Sequence, residues 1–296
     1  MTNNKPPPVG QYGRGLLNGR PADETAKTTE QTKSHISAQR FAKMGAKKEK
    51  EADAMPAIQT IGLGKRYKKL TAVDGLNLEI QQGELFALLG VNGAGKTTAI
   101  KMLCCLTVPT EGEAFVGGYS VTREPEQVKR LIGVSPQETA VAPNLSVEEN
   151  LQLMCGIHGF SKEKTRTKIG ELSRQFGLDT VLPRKAGKLS GGWQRRVSIA
   201  MALIGEPKIL FLDEPTLGLD VLARHDLWEV IGGLKGRVTV ILTTHYMEEA
   251  ETLSDRIGIL KDGRLLAVGT AEELKQRAGT ADFEAAFVSI VKEAAV

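Results

Sequence analysis

The stretch Gly90-Val91-Asn92-Gly93-Ala94-Gly95-Lys96-Thr97, entered from the apolar run Leu85–Leu89, decides how this chain is read. Two glycines five residues apart, followed by Lys-Thr, make the spacing that wraps backbone N–H groups around a phosphate between a strand and a helix. Glycine lets those amides turn inward where a side chain would collide. The start of the following helix adds a favourable dipole for an anion. Lys96 supplies positive charge to β- and γ-phosphates, and the Thr97 hydroxyl is a ligand for Mg2+. Gly90, Asn92, Gly93, Ala94, Gly95, Lys96, Thr97 and Thr98 are the candidate phosphate-binding residues.

Downstream, a second apolar run, 209–212, ends in Asp213-Glu214. A carboxylate at the end of a strand lies where open α/β sheets bind ligands. Asp213 is expected to hold Mg2+ and Glu214 to polarise an attacking water, as such residues do in nucleotide hydrolases with this loop. Read alone, an acidic strand end is also an ordinary turn.

β-rich runs at 58–63, 76–80 and 85–90 are punctuated by Asp74-Gly75 and Gln82-Gly83, which read as turns. Later strands at 238–242 and 257–260 alternate with helical stretches, which predicts an α/β domain with a largely parallel sheet. The region 138–188 reads as mainly helical, with a capping box at Ser146 and Glu149. Thr270 with Glu273 starts a late helix, and a short one follows near 282–292.

The chain has 296 residues, 41% hydrophobic and 25% charged, which suits a soluble globular protein. Its net charge of +4 comes from residues 1–55, which carry ten Lys/Arg against six Asp/Glu and leave a neutral body. A body without a basic stripe argues against nucleic-acid binding. Residues 1–55 contain only Val9, Leu16, Leu17, Ile36 and Phe41 among their Leu, Ile, Val and Phe, too few to offset ordering entropy. They are expected to be a disordered basic tail, with a short basic helix at 34–50 as the alternative. Cys104, Cys105 and Cys155 form no disulfide framework and show no metal spacing, which points to reduced thiols. No apolar run reaches the ~18 residues of a membrane span, and no secretory h-region opens the chain.

Further motifs then fall into one order: Tyr67, Gln137 in Ser-Pro-Gln-Glu, Leu189-Ser190-Gly191-Gly192, Asp213-Glu214, Leu219-Asp220 and Thr243-Thr244-His245. With the glycine loop they resemble the ATP-binding subunit of an ABC transporter over roughly 57–275. The resemblance implies an α/β P-loop NTPase cassette with a mostly parallel core sheet, an antiparallel β subdomain and a helical subdomain. It implies an ATP-binding domain at 56–280, with the helical part at about 138–188 and a short C-terminal helix at 281–296.

The resemblance also implies the remaining roles. Tyr67 stacks on adenine, where the alternative is an aromatic covering a strand edge. Gln137 senses Mg2+ alongside Thr97 and Asp213, and couples to a membrane subunit. His245 positions the γ-phosphate and the water, where the alternative is a capped surface histidine. Ser190, Gly191 and Gly192 reach the ATP of a second copy, so the site is complete only in a head-to-tail dimer, and Asp220, in the D-loop, counts among the nucleotide-binding residues. ATP and Mg2+ are the implied cofactors.

Trp193 departs from the Gln or Met usual after those glycines. The stretch 192–205 is similar to the drug-resistance and lipid-export branch, whose permeases are of ABC-2 type. Too few residues follow Leu274 for the regulatory barrel of many sugar importers. The implied function is the ATPase that energises an exporter, with an integral membrane permease and a second ATP-binding subunit as partners. Its implied place is cytoplasmic, peripheral at the inner face of the membrane. The alternative is a soluble ATP-driven switch acting on ribosomes or DNA.

Overall fold

A computed structural model describes residues 55–294. The expectations for the basic tail and its alternative helix at 34–50 lie outside the described residues.

Five strands make the parallel part of the central sheet: β3 (Leu85–Leu89), β6 (Ile132–Ser135), β7 (Ile209–Asp213), β8 (Thr239–Thr244) and β9 (Arg256–Lys261). β10 (Arg264–Gly269) adds antiparallel to β9, giving the order β10-β9-β3-β8-β7-β6. β3, β7 and β8 are buried at every position, as strands covered on both faces must be. Alternate side chains feed two different cores. Leu85, Ala87, Leu89, Leu210 and Leu212 join the apolar cluster that includes Leu151, Phe176 and Val197, whereas Phe86, Leu88, Ile209 and Phe211 join the one holding Ile100 and Met102.

A second, antiparallel sheet has the order β2-β1-β4-β5, from β1 (Ile58–Tyr67), β2 (Leu70–Ile80), β4 (Glu111–Val116) and β5 (Tyr119–Ser120). Here one expectation is corrected. Asp74-Gly75 is not a turn: β2 runs straight through it, and the four residues of β2 from Val73 to Leu76 oppose the three of β1 from Leu63 to Lys65. The pair forms a bulge, which uses the same positive φ that a turn needs, 62° at Gly75. The actual hairpin turn is Lys68-Lys69, between the partners Tyr67 and Leu70.

Helix α1 (Lys96–Leu103) leaves the glycine loop, and α2 (Pro125–Leu131) precedes β6. The middle of the chain forms α3 (Val147–Ile157) and α4 (Lys162–Phe176). Ser146 and Glu149 close a reciprocal capping box at the start of α3. Then come α5 (Gly191–Leu203), α6 (Val221–Gly232), α7 (Met247–Leu253), α8 (Ala271–Ala278) and α9 (Phe283–Glu293). Thr270 and Glu273 cap α8 as the sequence predicts. Cys104 is buried at the end of α1, while Cys105 lies beyond the helix at φ 58° and is only part-buried.

Candidate active site

The C-terminal ends of β3, β6, β7 and β8 converge on a cavity of about 620 Å³. That is where an open parallel sheet places a ligand. Asn92, Gly93, Ala94, Gly95, Lys96, Thr97 and Thr98 line it, with Gln137, Glu214 and His245. Gly95 sits at φ 104° where a Cβ would stand 2.3 Å from Ala72 O, and a Cβ on Gly90 would stand 2.3 Å from Leu260 O. The loop therefore closes only with glycine at both places.

Lys96 is 4% exposed. Its Nζ donates to Gly90 O at 2.7 Å and Val91 O at 3.2 Å, and stands 3.4 Å from Glu214 Oε1. His245 Nδ1 lies 3.3 Å from Glu214 Oε2, within reach but not aligned for a hydrogen bond. Glu214 itself has φ 46°, unusual for a residue with a side chain. Its N–H donates to Thr243 O and, at 3.0 Å, to Thr243 Oγ1. Asp213 Oδ1 accepts from Thr243 Oγ1 at 2.6 Å and from Thr97 Oγ1 at 3.2 Å. Parallel register of β7 and β8 puts Asp213 beside Thr243. Thr243 thus orients both carboxylate residues, a role that sequence reading misses; the register between two strands is the only signal for it.

Behind His245, Glu249 on α7 is fully buried. Trp228 Nε1 donates to its Oε1 at 3.0 Å, and Thr216, Thr244 and Arg224 face the carboxylate. Burial holds its pKa above the ordinary carboxylate value.

Other expected residues lie apart from the cavity lining. Tyr67 is 44% exposed, with Lys65 Nζ 5.1 Å from its ring centroid, and Leu70, Thr71 and Ala72 line that side instead. Asp220 serves as the N-cap of α6, accepting from Ala223 N at 2.9 Å. Ser190 occupies the N-cap position of α5 but makes no side-chain bond to its own helix, and it is exposed. It lies outside the lining of the cavity that holds Lys96. Asp262, at the β9–β10 turn, and Leu217 line the cavity without having been expected there from the sequence.

A phosphate loop on a parallel sheet, with a buried lysine facing a strand-end glutamate, defines a nucleoside triphosphatase. The family model described as ABC transporter matches residues 73–217. The chain is 43% identical to the doxorubicin resistance ATP-binding protein of Mycobacterium tuberculosis over 226 residues, covering 75% of this chain and 68% of that protein. It is 38% identical over 243 residues to a probable multidrug ABC transporter ATP-binding protein of Escherichia coli, covering 80% of this chain and 42% of that one. Among solved structures, an ATP-binding subunit of an ABC transporter aligns at TM-score 0.71 and 30% identity, covering 79% of this chain and 99% of that chain. A dimeric ATP-binding cassette in a post-hydrolysis state, bound to ADP and Pi, aligns at TM-score 0.66 and 29% identity, covering 72% of this chain and 98% of that one. The chain belongs to the ABC transporter family and carries its ATP-hydrolysing cassette.

Proposed function

We propose that this chain energises a membrane exporter by closing on a second ATP-binding subunit when ATP is bound and parting from it after hydrolysis. The observation that carries this reading is the convergence of Lys96, Thr97, Gln137, Glu214 and His245 on one cavity. Lys96 neutralises the β- and γ-phosphates while loop amides hold the triphosphate. Glu214 takes the proton of the attacking water, and His245 orients water and γ-phosphate. Positioning and charge stabilisation supply the catalysis. Tyr67 is assigned to adenine, from the strand end next to Leu70.

The donor set suits Mg2+. Thr97 hydroxyl, Asp213 carboxylate and Gln137 carbonyl are hard oxygen ligands, and Thr97 and Asp213 already stand 3.2 Å apart. No group of three His, Cys, Asp or Glu capable of caging a metal occurs among the described residues. That fits an ion held by few protein ligands together with substrate phosphates. The ion would neutralise charge developing between the β- and γ-phosphates.

Closure is supported by the free hydroxyl of Ser190. It sits with Gly191 and Gly192 at the N-terminus of a 13-residue helix, a site that favours anionic oxygen. ATP bound more tightly in the closed than the open dimer supplies the work. Asp220, capping the next helix, lies in the same interface. We assign residues 56–280 to the ATP-binding domain, with the helical part at 138–188. The permease is of ABC-2 type, and the chain sits at the inner face of the membrane beneath it. No helix among the described residues is long and apolar enough to cross a membrane, so transport requires that partner. No observation favours the ribosome- or DNA-directed alternative.

Glu214→Gln tests the reading. ATP binding should persist, turnover should fall by about 10²- to 10⁴-fold, and an ATP-dependent dimer should accumulate. Full turnover in that variant would remove Glu214 from the chemistry. Recovery of the native chain from cells with ribosomes alone, and never with an integral membrane protein, would overturn the transport role.

A further inference from the structure

Arg195 stands on the second turn of α5, five residues after Ser190, and is 4% exposed. A buried guanidinium needs acceptors for its fork of donors. Among the described residues no carboxylate pairs with it. Its donors go to main-chain oxygens: Nη1 to Pro136 O at 2.5 Å and Nη2 to Gln137 O. Both carbonyls belong to the loop leaving β6, the one that brings Gln137 to the cavity. Two neighbours on α5 hold the end of β6 and the same loop. Ser198 and Ser135 join their hydroxyls at 2.9 Å in a buried contact, and Gln194 Oε1 accepts from Thr139 Oγ1 at 3.4 Å.

We propose that Arg195 is a positioning residue that locks the main chain of Gln137 to the helix bearing Ser190, so that the two move together. A planar fork gripping two successive carbonyls fixes the direction of the peptide between them, which a single ammonium cannot do. Gln137 lines the cavity of its own chain, while Ser190 is exposed outside that lining. Arg195 therefore links the triphosphate held by Lys96 to the surface offered to a second copy. This inference rests on the assignment of Gln137 and Ser190 to the nucleotide site.

The test compares Arg195→Lys and Arg195→Gln, alone and combined with Gln137→Ala, in the full chain. ATP affinity, unfolding midpoint, and kcat and KM for ATP are read for each, below the midpoint of the least stable variant. Both Arg195 variants should leave ATP affinity within about twofold and lower kcat by about 10- to 100-fold, the cost of misplacing a group by roughly 1 Å. Because Arg195 acts through Gln137, adding Gln137→Ala should cause no further loss. Losses that multiply, or an unchanged kcat in folded Arg195→Lys, would overturn the inference. If Gln137→Ala alone turns over normally, the assignment of Gln137 fails and the inference fails with it. If Arg195 acts alone as a buried prop, only the unfolding midpoint will move.

Discussion

At Lys96 and Glu214 two opposite charges are buried within 3.4 Å of each other. Desolvating such ions costs several kcal/mol each unless their remaining donors and acceptors are met. The loop carbonyls of Gly90 and Val91 meet Lys96, and the left-handed backbone of Glu214, worth about 1–3 kcal/mol of strain, is held by Thr243. The same strand end shields Glu249, whose carboxyl keeps its proton to higher pH than in an unfolded chain because it is buried. With a raised folded-state pKa, the folded protein binds the extra proton. Stability therefore falls as pH rises from the ordinary carboxylate range through the folded-state pKa, and the penalty is complete above it. Glu249→Gln cannot ionise yet still offers an oxygen to Trp228. Its unfolding temperature should gain on the native chain as pH rises, and match it most closely in acid. Parallel profiles would mean that Glu249 ionises in the fold without cost.

Legibility at this scale follows chemistry. Gly90, Gly95, Lys96 and Thr97 are readable because a phosphate accepts few residue types at fixed spacing. Arg195, Thr243 and Glu249 are not, because each matters through a partner tens of residues away that only the tertiary structure supplies.

Among the elements, helix starts were written most clearly. Ser146 with Glu149 and Thr270 with Glu273 carry a local signal that the structure honours, since caps act within four residues. Ser146→Ala should lower stability by about 1 kcal/mol in chemical unfolding while leaving ATP affinity unchanged. A drop in affinity would mean that α3 helps set the cavity. The hairpin turn of the antiparallel sheet departs from the expected turn positions for a physical reason. Lys68-Lys69 has no turn preference, whereas Asp74-Gly75 has a strong one that a bulge satisfied equally well. Parallel strands with long buried runs were plain. β4, with alternating exposure and two glutamates, was hidden among polar residues.

For the molecule as a whole, the fold brings part of the expected site together and leaves Ser190 apart from it. Lys96, Thr97, Glu214 and His245 meet in one cavity, and Ser190 presents an unused hydroxyl outside it. In the proposed two-fold dimer each lysine would be served by its partner's serine. Lys96→Ala and Ser190→Ala should each abolish turnover alone. Mixed in equal amounts they should recover ATPase activity, because a dimer of one with the other keeps one site intact. Random pairing predicts roughly a quarter of the native rate. No recovery, in a mixture shown by mass to exchange subunits, would mean that each polypeptide builds its site unaided.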